Sequence, residues 1–458
     1  MLSSNPEASA GVLVVTYCMK KFLPYLLLIA FSAEAQICYQ PHFETPAGTT
    51  PKALIHGDFN EDGLEDLAVA NFGSNNISVL MALPSGTFVR DSNYATGSAP
   101  HHVITADFNQ DGHLDLATAN YNSSSISVLL GNGHGSFGTL SNFYAGSTQT
   151  ALIAADLDGD LILDIAAACG DSVVVFKGNG GGSFYKFRSY VTPGSYGLCT
   201  ADLNNDGLKD LATCDCSCCS ISVLLASGGG NFNSHIDYPL GGGYYENLPL
   251  TLIAEDINQD GFADLISADQ KNVSVLLGSG NGAFSTAVSY YAGSCATTVI
   301  CQDLTGDGYV DIATANVGAD VSILPGNGNG TFASGIHLNA GDGPRGLTSA
   351  DFNKDGWPDL ATANNNSNDV SIILSCKTSS VASNANDGSH LTFESPNTLC
   401  IHTNEPGMLH ILSMQGEQVY EKEVADEQRL DLRSLPSGTY IAILATSRRT
   451  IKSKFIKE

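Results

Sequence analysis

Cationic residues are scarce in this chain of 458 residues: 20 lysines and arginines face 47 aspartates and glutamates, a formal net charge of −27. Nucleic acids and anionic membranes bind through basic patches, so the imbalance excludes both as partners. Charged residues of either sign make up only 15%, and no long stretch carries the apolar period of an amphipathic helix. No hydrophobic run after residue 35 approaches the ~20 residues of a membrane span. Catalytic signatures are missing as well. There is no G-x-S-x-G, no H-E-x-x-H and no P-loop, and the 11 histidines share no recurrent spacing. No catalytic residue is nominated.

What the chain has is glycine and many short apolar runs bounded by Gly, Asn, Asp and Ser, the texture of an all-β protein. Its acidity is local: residues 36–376 hold 9 basic against 35 acidic residues, whereas 377–458 hold 9 against 10. Residues 1–18 read as a start-site extension and 19–35 as a signal peptide, with Lys20-Lys21, an apolar core from Phe22 to Phe31 and the cleavage motif Ala33-Glu34-Ala35. Export permits disulfides, and the eleven cysteines that follow leave at least one without an intramolecular partner.

A nine-residue signature recurs seven times: DFNEDGLED at 58–66, DFNQDGHLD at 107–115, DLDGDLILD at 156–164, DLNNDGLKD at 202–210, DINQDGFAD at 256–264, DLTGDGYVD at 303–311 and DFNKDGWPD at 351–359. A short apolar strand precedes each copy and another (DLATAN in type) follows. Then come a polar turn, a run such as ISVLL, and a Gly-rich turn closed by Phe. Four strands per period is the size of a propeller blade, so the expectation is a seven-bladed β-propeller over 36–376. The last repeat stops after Leu374 with no fourth strand, and YQPHFETPAG near the start resembles the missing one. Pairing the two closes the ring and predicts a Cys38–Cys376 disulfide.

A turning loop with side-chain oxygens at positions 1, 3, 5 and 9, a backbone carbonyl at 7 and glycine at 6 suits one hard cation. The expected ligands to Ca²⁺, up to seven ions, are Asp58, Asn60, Asp62 and Asp66; Asp107, Asn109, Asp111 and Asp115; Asp156, Asp158, Asp160 and Asp164; Asp202, Asn204, Asp206 and Asp210; Asp256, Asn258, Asp260 and Asp264; Asp303, Thr305, Asp307 and Asp311; and Asp351, Asn353, Asp355 and Asp359. Loop three, with Leu161 in the glycine position, and loop six, with Thr305, are the poorest. These positions account for 22 of the 35 acids in 36–376, which explains where the negative charge lies.

The signature with its Gly-rich turn and Phe resembles FG-GAP repeats, also known as VCBS-type repeats, the units of the integrin α-subunit propeller. The resemblance covers roughly residues 40–376. It implies calcium on the face of the acidic loops and partners on the opposite face. On that opposite face, the residue six before each signature is Lys52, His101, Thr150, Tyr196, Leu250, Thr297 or Arg345, and the connection at 241–249 adds Tyr244 and Tyr245. Lys52, His101, Tyr196, Tyr244, Tyr245 and Arg345 are the candidate ligand residues, because cations beside aromatics suit a glycan or an acidic peptide. The run CDCSCC at 214–219 suits disulfides, among its own cysteines or with Cys169 or Cys199, and a soft metal is the alternative.

Residues 377–390 read as a polar linker. The strands of 391–458 suit a small Ig-like β-sandwich. LDLRSLPSGTYIAIL and the basic end with Lys452, Lys454 and Lys457 resemble the type A sorting domain of the type IX secretion system. That implies a partner in the secretion machinery and display at the outer surface of a Gram-negative bacterium. The functional expectation is a surface binding or adhesion module for glycan or protein, with a polysaccharide-degrading enzyme or a surface-layer component as alternatives.

Overall fold

The structure, a computed structural model, describes residues 39–215, 219–240, 249–376, 390–395, 398–403, 406–413, 418–425, 428–436, 438–446 and 450–457. The signal-peptide segment, linker residues 377–389, Cys38, Cys216, Cys218, Tyr244 and Tyr245 lie outside them, whereas residue 390 already begins a strand. Among the described residues every regular element is a β-strand, and no helix is long and apolar enough to cross a membrane. Contacts group Ala35–Ser379 into one unit and Ser380–Glu458 into another.

In the first unit each repeat builds antiparallel strands. Repeat one pairs Pro51–Gly57, Asp66–Asn71, Asn76–Ala82 and Phe88–Ala95 in order, and repeat two pairs Pro100–Ala106, Asp115–Asn120, Ser125–Leu129 and Ser141–Tyr144. The last repeat joins Pro344–Ala350, Asp359–Asn364 and Asp369–Ile373 to the N-terminal strand Phe43–Pro46, with Phe43 opposite Ile372 and Pro46 opposite Asp369. Repeats three and four share one sheet, because Phe184–Ala201 serves as fourth strand of one and first strand of the next. Val288–Gln302 joins repeats five and six in the same way.

The second strand of a repeat is the most deeply set. All six residues of Asp66–Asn71, Asp115–Asn120, Asp311–Asn316 and Asp359–Asn364 are buried. Their alternating alanines let adjacent sheets approach closely, and the terminal asparagine satisfies itself internally. Asn71 Nδ2 donates to Ser78 Oγ at 2.9 Å, Asn120 to Ser127 at 2.8 Å, Asn316 to Ser322 at 2.7 Å and Asn364 to Ser371 at 2.8 Å.

First strands of successive repeats touch, from Pro51–Gly57 through Pro100–Ala106, Ala151–Ala155, Phe184–Ala201, Pro249–Glu255 and Val288–Gln302 to Pro344–Ala350, which touches Pro51–Gly57 again. The Phe that ends each Gly-rich turn packs edge-on against the second signature residue of the preceding repeat where that residue is aromatic: Phe137 on Phe59 at 5.6 Å and Phe184 on Phe108 at 5.6 Å. Phe88 of repeat one meets Phe352 of repeat seven in the same way, at 5.4 Å.

The second unit consists of a three-stranded sheet (His390–Ser395, Thr398–His402, Gln428–Asp431) and a four-stranded sheet ordered Gln418–Val424, Gly407–Ser413, Gly438–Thr446, Thr450–Lys457. Leu391, Leu399, Ile401 and Leu430 of the first sheet share one buried core with Leu409, Ile411, Ala442 and Leu444 of the second.

Candidate metal loops and the opposite rim

Chain direction sorts the loops onto two ends of the sheets. Each signature follows a first strand and each Gly-rich turn follows a third, so both lie at one end. The polar turns and the starts of first strands lie at the other.

At the first end the acidic loop is tied into a set of backbone bonds. In loop one Asp58 accepts from the N–H of Asp62 at 3.1 Å and of Gly63 at 2.7 Å. Asn60 Oδ1 accepts from Asp62 N at 3.0 Å, and Asp62 Oδ1 from Leu64 N at 2.8 Å. Loops two, four and five repeat the pattern: Asp111 N bonds Asp107 at 3.1 Å, Asp206 N bonds Asp202 at 3.1 Å and Asp260 N bonds Asp256 at 3.1 Å. In loop seven Asp355 N bonds Asp351 and Asn353, each at 2.9 Å. The turn needs left-handed backbone at positions 4 and 6. Position 6 is glycine in six loops, whereas position 4 carries side chains in most, as in Glu61 (φ 60), Gln110 (φ 60), Asn205 (φ 58), Gln259 (φ 60) and Lys354 (φ 56). Such strain, about 1 kcal/mol or more per residue, concentrates at functional loops.

The ninth aspartate is buried and has a further task. Asp66 accepts from Phe59 N at 3.2 Å and from Ala82 N at 2.7 Å, tying its loop to the end of the third strand. Asp115 does so with Phe108 and Gly131, Asp264 with Ile257 and Gly278, and Asp359 with Phe352 and Ser375. Burial lifts the carboxyls of Asp66, Asp115, Asp164, Asp264, Asp311 and Asp359 to about 6, despite the N–H donors that pull the other way. Loops one, two, four, five and seven thus offer carboxylate and amide oxygens alone, a hard donor set that fits calcium. In loop six the Thr305 hydroxyl is buried and has no hydrogen-bond partner among the described residues. Loop three differs: Asp156, Asp158 and Asp164 bring ligand atoms within 4.8 Å of one another, and Asp158 Oδ2 lies 2.5 Å from Lys177 Nζ.

At the opposite end, Lys52, His101, Leu250, Thr297 and Arg345 are each the extra residue of a β-bulge. Pro51 pairs with Asn71 and Ala53 with Ala70, which leaves Lys52 over. The same slip falls between Pro100 and His102, Pro249 and Thr251, Ala296 and Thr298, and Pro344 and Gly346. In repeat four it falls between Ser195 and Leu198, around Tyr196. A bulge re-aims the side chain it carries, so this ring of positions is set apart by backbone geometry. The sequence signal was the proline just before the bulge in four repeats.

Lys52, His101 and Arg345 converge. His101 donates from Nδ1 to Thr150 O at 3.0 Å and accepts the Tyr196 hydroxyl on Nε2 at 3.0 Å. Tyr196, Phe72 and Tyr121 ring it at 5.5, 6.3 and 5.9 Å between centroids. Burial, then Lys52, holds the imidazole neutral, with its pKa down to about 3. Lys52 Nζ lies 4.6 Å over the Phe72 ring, and burial followed by the nearby Arg345 lowers its pKa to about 8. Among the described residues neither Lys52 nor Arg345 forms a salt bridge. Phe72 and Tyr121, which sequence reasoning passed over, belong to this cluster; they open the polar turns of repeats one and two. Leu250 is in strand Pro249–Glu255.

Cys169 and Cys199 carry free, buried thiols, so the expected disulfides from either to the 214–219 run are corrected. Cys169 contacts Ala167 O at 3.5 Å, and burial pushes its thiol up to about 12. Cys199 sits in a core with Ala212, Ile221 and Leu252. Cys376 is disulfide-bonded; the Cys38 half of that expectation lies outside the described residues.

The closed succession of antiparallel sheets and repeated acidic turns defines an all-β, propeller-like repeat protein. The chain belongs to the FG-GAP-like repeat family, which matches residues 58–118, 107–167, 156–213, 256–314 and 303–362, together more than half of the chain. Residues 395–458 match the secretion system C-terminal sorting domain, of the type IX system, which marks a secreted or cell-surface protein. Similar solved structures include BBS1N in complex with ARL6DN, soaked with lead (TM-score 0.52, 12% identity, 74% of this chain and 97% of that chain) or with mercury (0.54, 11%, 73% and 96%). At that identity they show the fold alone. A structure concerned with recognition of non-reducing terminal N-acetylglucosamine by an Agrocybe aegerita lectin has a TM-score of 0.48 at 21% identity, covering 64% of this chain and 81% of that chain. No curated protein matches the chain.

Proposed function

We propose that the chain is a calcium-stabilised propeller of seven blades, displayed at the outer surface of a Gram-negative bacterium, that binds a glycan or extracellular protein through the rim around Lys52 and Arg345. An Ig-like sandwich formed by its last ~70 residues addresses it to the secretion machinery. One observation carries the binding reading: on a chain of net charge −27, Lys52 lies over the Phe72 ring and close enough to Arg345 to feel its charge, and among the described residues neither cation has a carboxylate partner. Leaving like charges together and unpaired is unfavourable for folding, which supports a ligand as the missing counter-charge. Anionic groups of the ligand seat on Lys52 and the Arg345 fork, while Tyr121 and Tyr196 offer faces for a sugar ring or an apolar side chain.

Calcium belongs to the other end. The Asp, Asn and Thr oxygens at positions 1, 3, 5 and 9 would hold it, and it would supply the positive charge that draws their carboxylates together. Its role there is to stiffen the loops.

The test incubates the full chain, with calcium, on arrays of polysaccharides and extracellular proteins, reading retention and released fragments together. Retention of anionic ligands, weakened about tenfold or more by Arg345→Ala or Lys52→Ala, supports the reading. Released fragments would replace it with a polysaccharide-degrading enzyme. Retention untouched by both substitutions would move the binding site elsewhere.

A further inference from the structure

We infer that loop three carries its own cation: the Lys177 ammonium fills the role that a bound ion takes in the other loops, and loop three binds no metal. The inference rests on the calcium reading of the remaining loops and concerns the one loop whose position-3 carboxylate is already paired with a side-chain cation.

The repeats supply an internal comparison. Each ninth aspartate accepts the N–H of a residue at the end of the third strand or two residues past it, from Ala82 in repeat one to Ser375 in repeat seven. The residue just before that donor is Met81, Leu130, Leu225, Leu277, Pro325 or Leu374 in six repeats and Lys177 in repeat three. Position 3 of the loop is Asn in five repeats and Thr in one; only repeat three has Asp, at Asp158. The two departures touch, with Lys177 Nζ donating to Asp158 Oδ2 at 2.5 Å.

The pairing follows from what the asparagine does elsewhere. Asn60, Asn109, Asn204 and Asn258 donate from Nδ2 to the position-5 carboxylate at 3.1, 2.8, 3.0 and 3.0 Å. Asp158 has no N–H to offer. It keeps the acceptor half of the role, taking Asp160 N on Oδ1 at 3.1 Å, and adds a charge beside Asp156 and Asp164. Three carboxylates with ligand atoms within 4.8 Å of one another need a positive partner. The ammonium is that partner. It also meets Gly229 O of the next repeat at 3.3 Å and lies 4.4 Å over the Phe187 ring. The Lys177 and Asp158 side chains are 16% and 9% exposed. An ion reaching Asp158 would have to displace a half-buried lysine held by a carboxylate, a carbonyl and an aromatic ring. A third departure is in the same loop: Leu161, 83% exposed, holds φ 66 at the position where the other six loops use glycine.

The test counts calcium per chain by native mass spectrometry on the full chain and locates the ions by anomalous diffraction. Wild type is expected to show ions in loops one, two, four, five and seven and none in loop three. Lys177→Met, which installs the residue found at Met81, is expected to gain one ion per chain, placed in loop three. If that variant folds only when calcium is present, the lysine has been replaced by the ion, which supports the inference. If it does not fold at all, the double variant Lys177→Met/Asp158→Asn restores the pairing of the other loops and is expected to gain the ion. An ion in loop three of wild type, or a folded double variant with no gain, overturns the inference alone. A wild-type count of zero overturns the calcium reading and this inference with it.

Discussion

Asp210 accepts from Leu203 N at 2.9 Å and from Ala226 N at 2.6 Å, whereas Asp206, four residues earlier, stands in the exposed turn. Both are expected calcium ligands, yet only one is also part of the sheet. Asp210→Ala leaves two buried N–H groups unpaired and should cost about 3 kcal/mol in urea unfolding with or without calcium. Asp206→Ala should cost that protein little in chelator and appreciably more in calcium. Equal losses for both variants in chelator would sink this division of roles. At the rim, the lowered pKa of Lys52 would set a pH window for the proposed binding. Its ammonium titrates near 8 instead of 10.5, so retention of an anionic ligand should be full at pH 7 and fall as pH passes 8. Lys52→Arg keeps its charge throughout and should flatten that fall; a wild-type profile flat to pH 10 would remove Lys52 from the site. His102, whose pKa is lowered to about 4 by burial, acts in the other direction. Folding favours its neutral form, so the stability it contributes is full above ~6.5 and lost as pH falls toward 4.

The closing element is the N-terminal strand Phe43–Pro46, and the Phe88–Phe352 contact beside it joins the two ends of the repeat region. Phe352 is 0% exposed, so Phe352→Ala should cost about 3–5 kcal/mol. The same cut at Phe59, 3% exposed and packed on Phe137, should cost a similar amount. A small loss at Phe352 alone would mean that the ends are not held as the other repeats are. Tyr39 bridges Ser375, one residue short of the two cysteines expected to pair. Non-reducing peptide mapping should return a Cys38–Cys376 linked peptide, and alkylation of both thiols would refute it. The strands, the loops and the identity of the closing strand were legible in the sequence because all follow a period of roughly 48 residues. The bulges were not, since one extra residue in a strand leaves the period unchanged. Nor were the fused strands Phe184–Ala201 and Val288–Gln302, where one continuous strand with shifts in register replaces the loop between repeats. The candidate rim was legible as a row of equivalent positions, Lys52 to Arg345. The Lys177–Asp158 pair and the Phe72–Tyr121 cluster come from contacts between separate strands, which no spacing announces.

For the whole molecule, the 35 acidic residues of 36–376 against 9 basic ones set the balance between folding and self-repulsion. The loops gather much of that charge at one end of the sheets, where burial raises the pKa of each ninth aspartate, to about 6 at Asp66 and Asp264. A cation bound only by the folded loop stabilises by mass action. At about 1 mM calcium and a dissociation constant of ~10⁻⁴ M, each filled loop contributes about 1.4 kcal/mol. Several filled loops should then raise the melting temperature by on the order of 10 °C, because a unit of this size unfolds with a large entropy. Chelation should remove that gain. Added sodium chloride should recover part of it by screening the exposed carboxylates, while the buried ninth aspartates respond less. Differential scanning calorimetry of the full chain, with calcium, with chelator, and with chelator plus salt, checks the whole series. A melting temperature that ignores calcium would mean that the Asx-type turns and the ninth-aspartate bonds hold the loops unaided, and the acidity of this region would then need another cause.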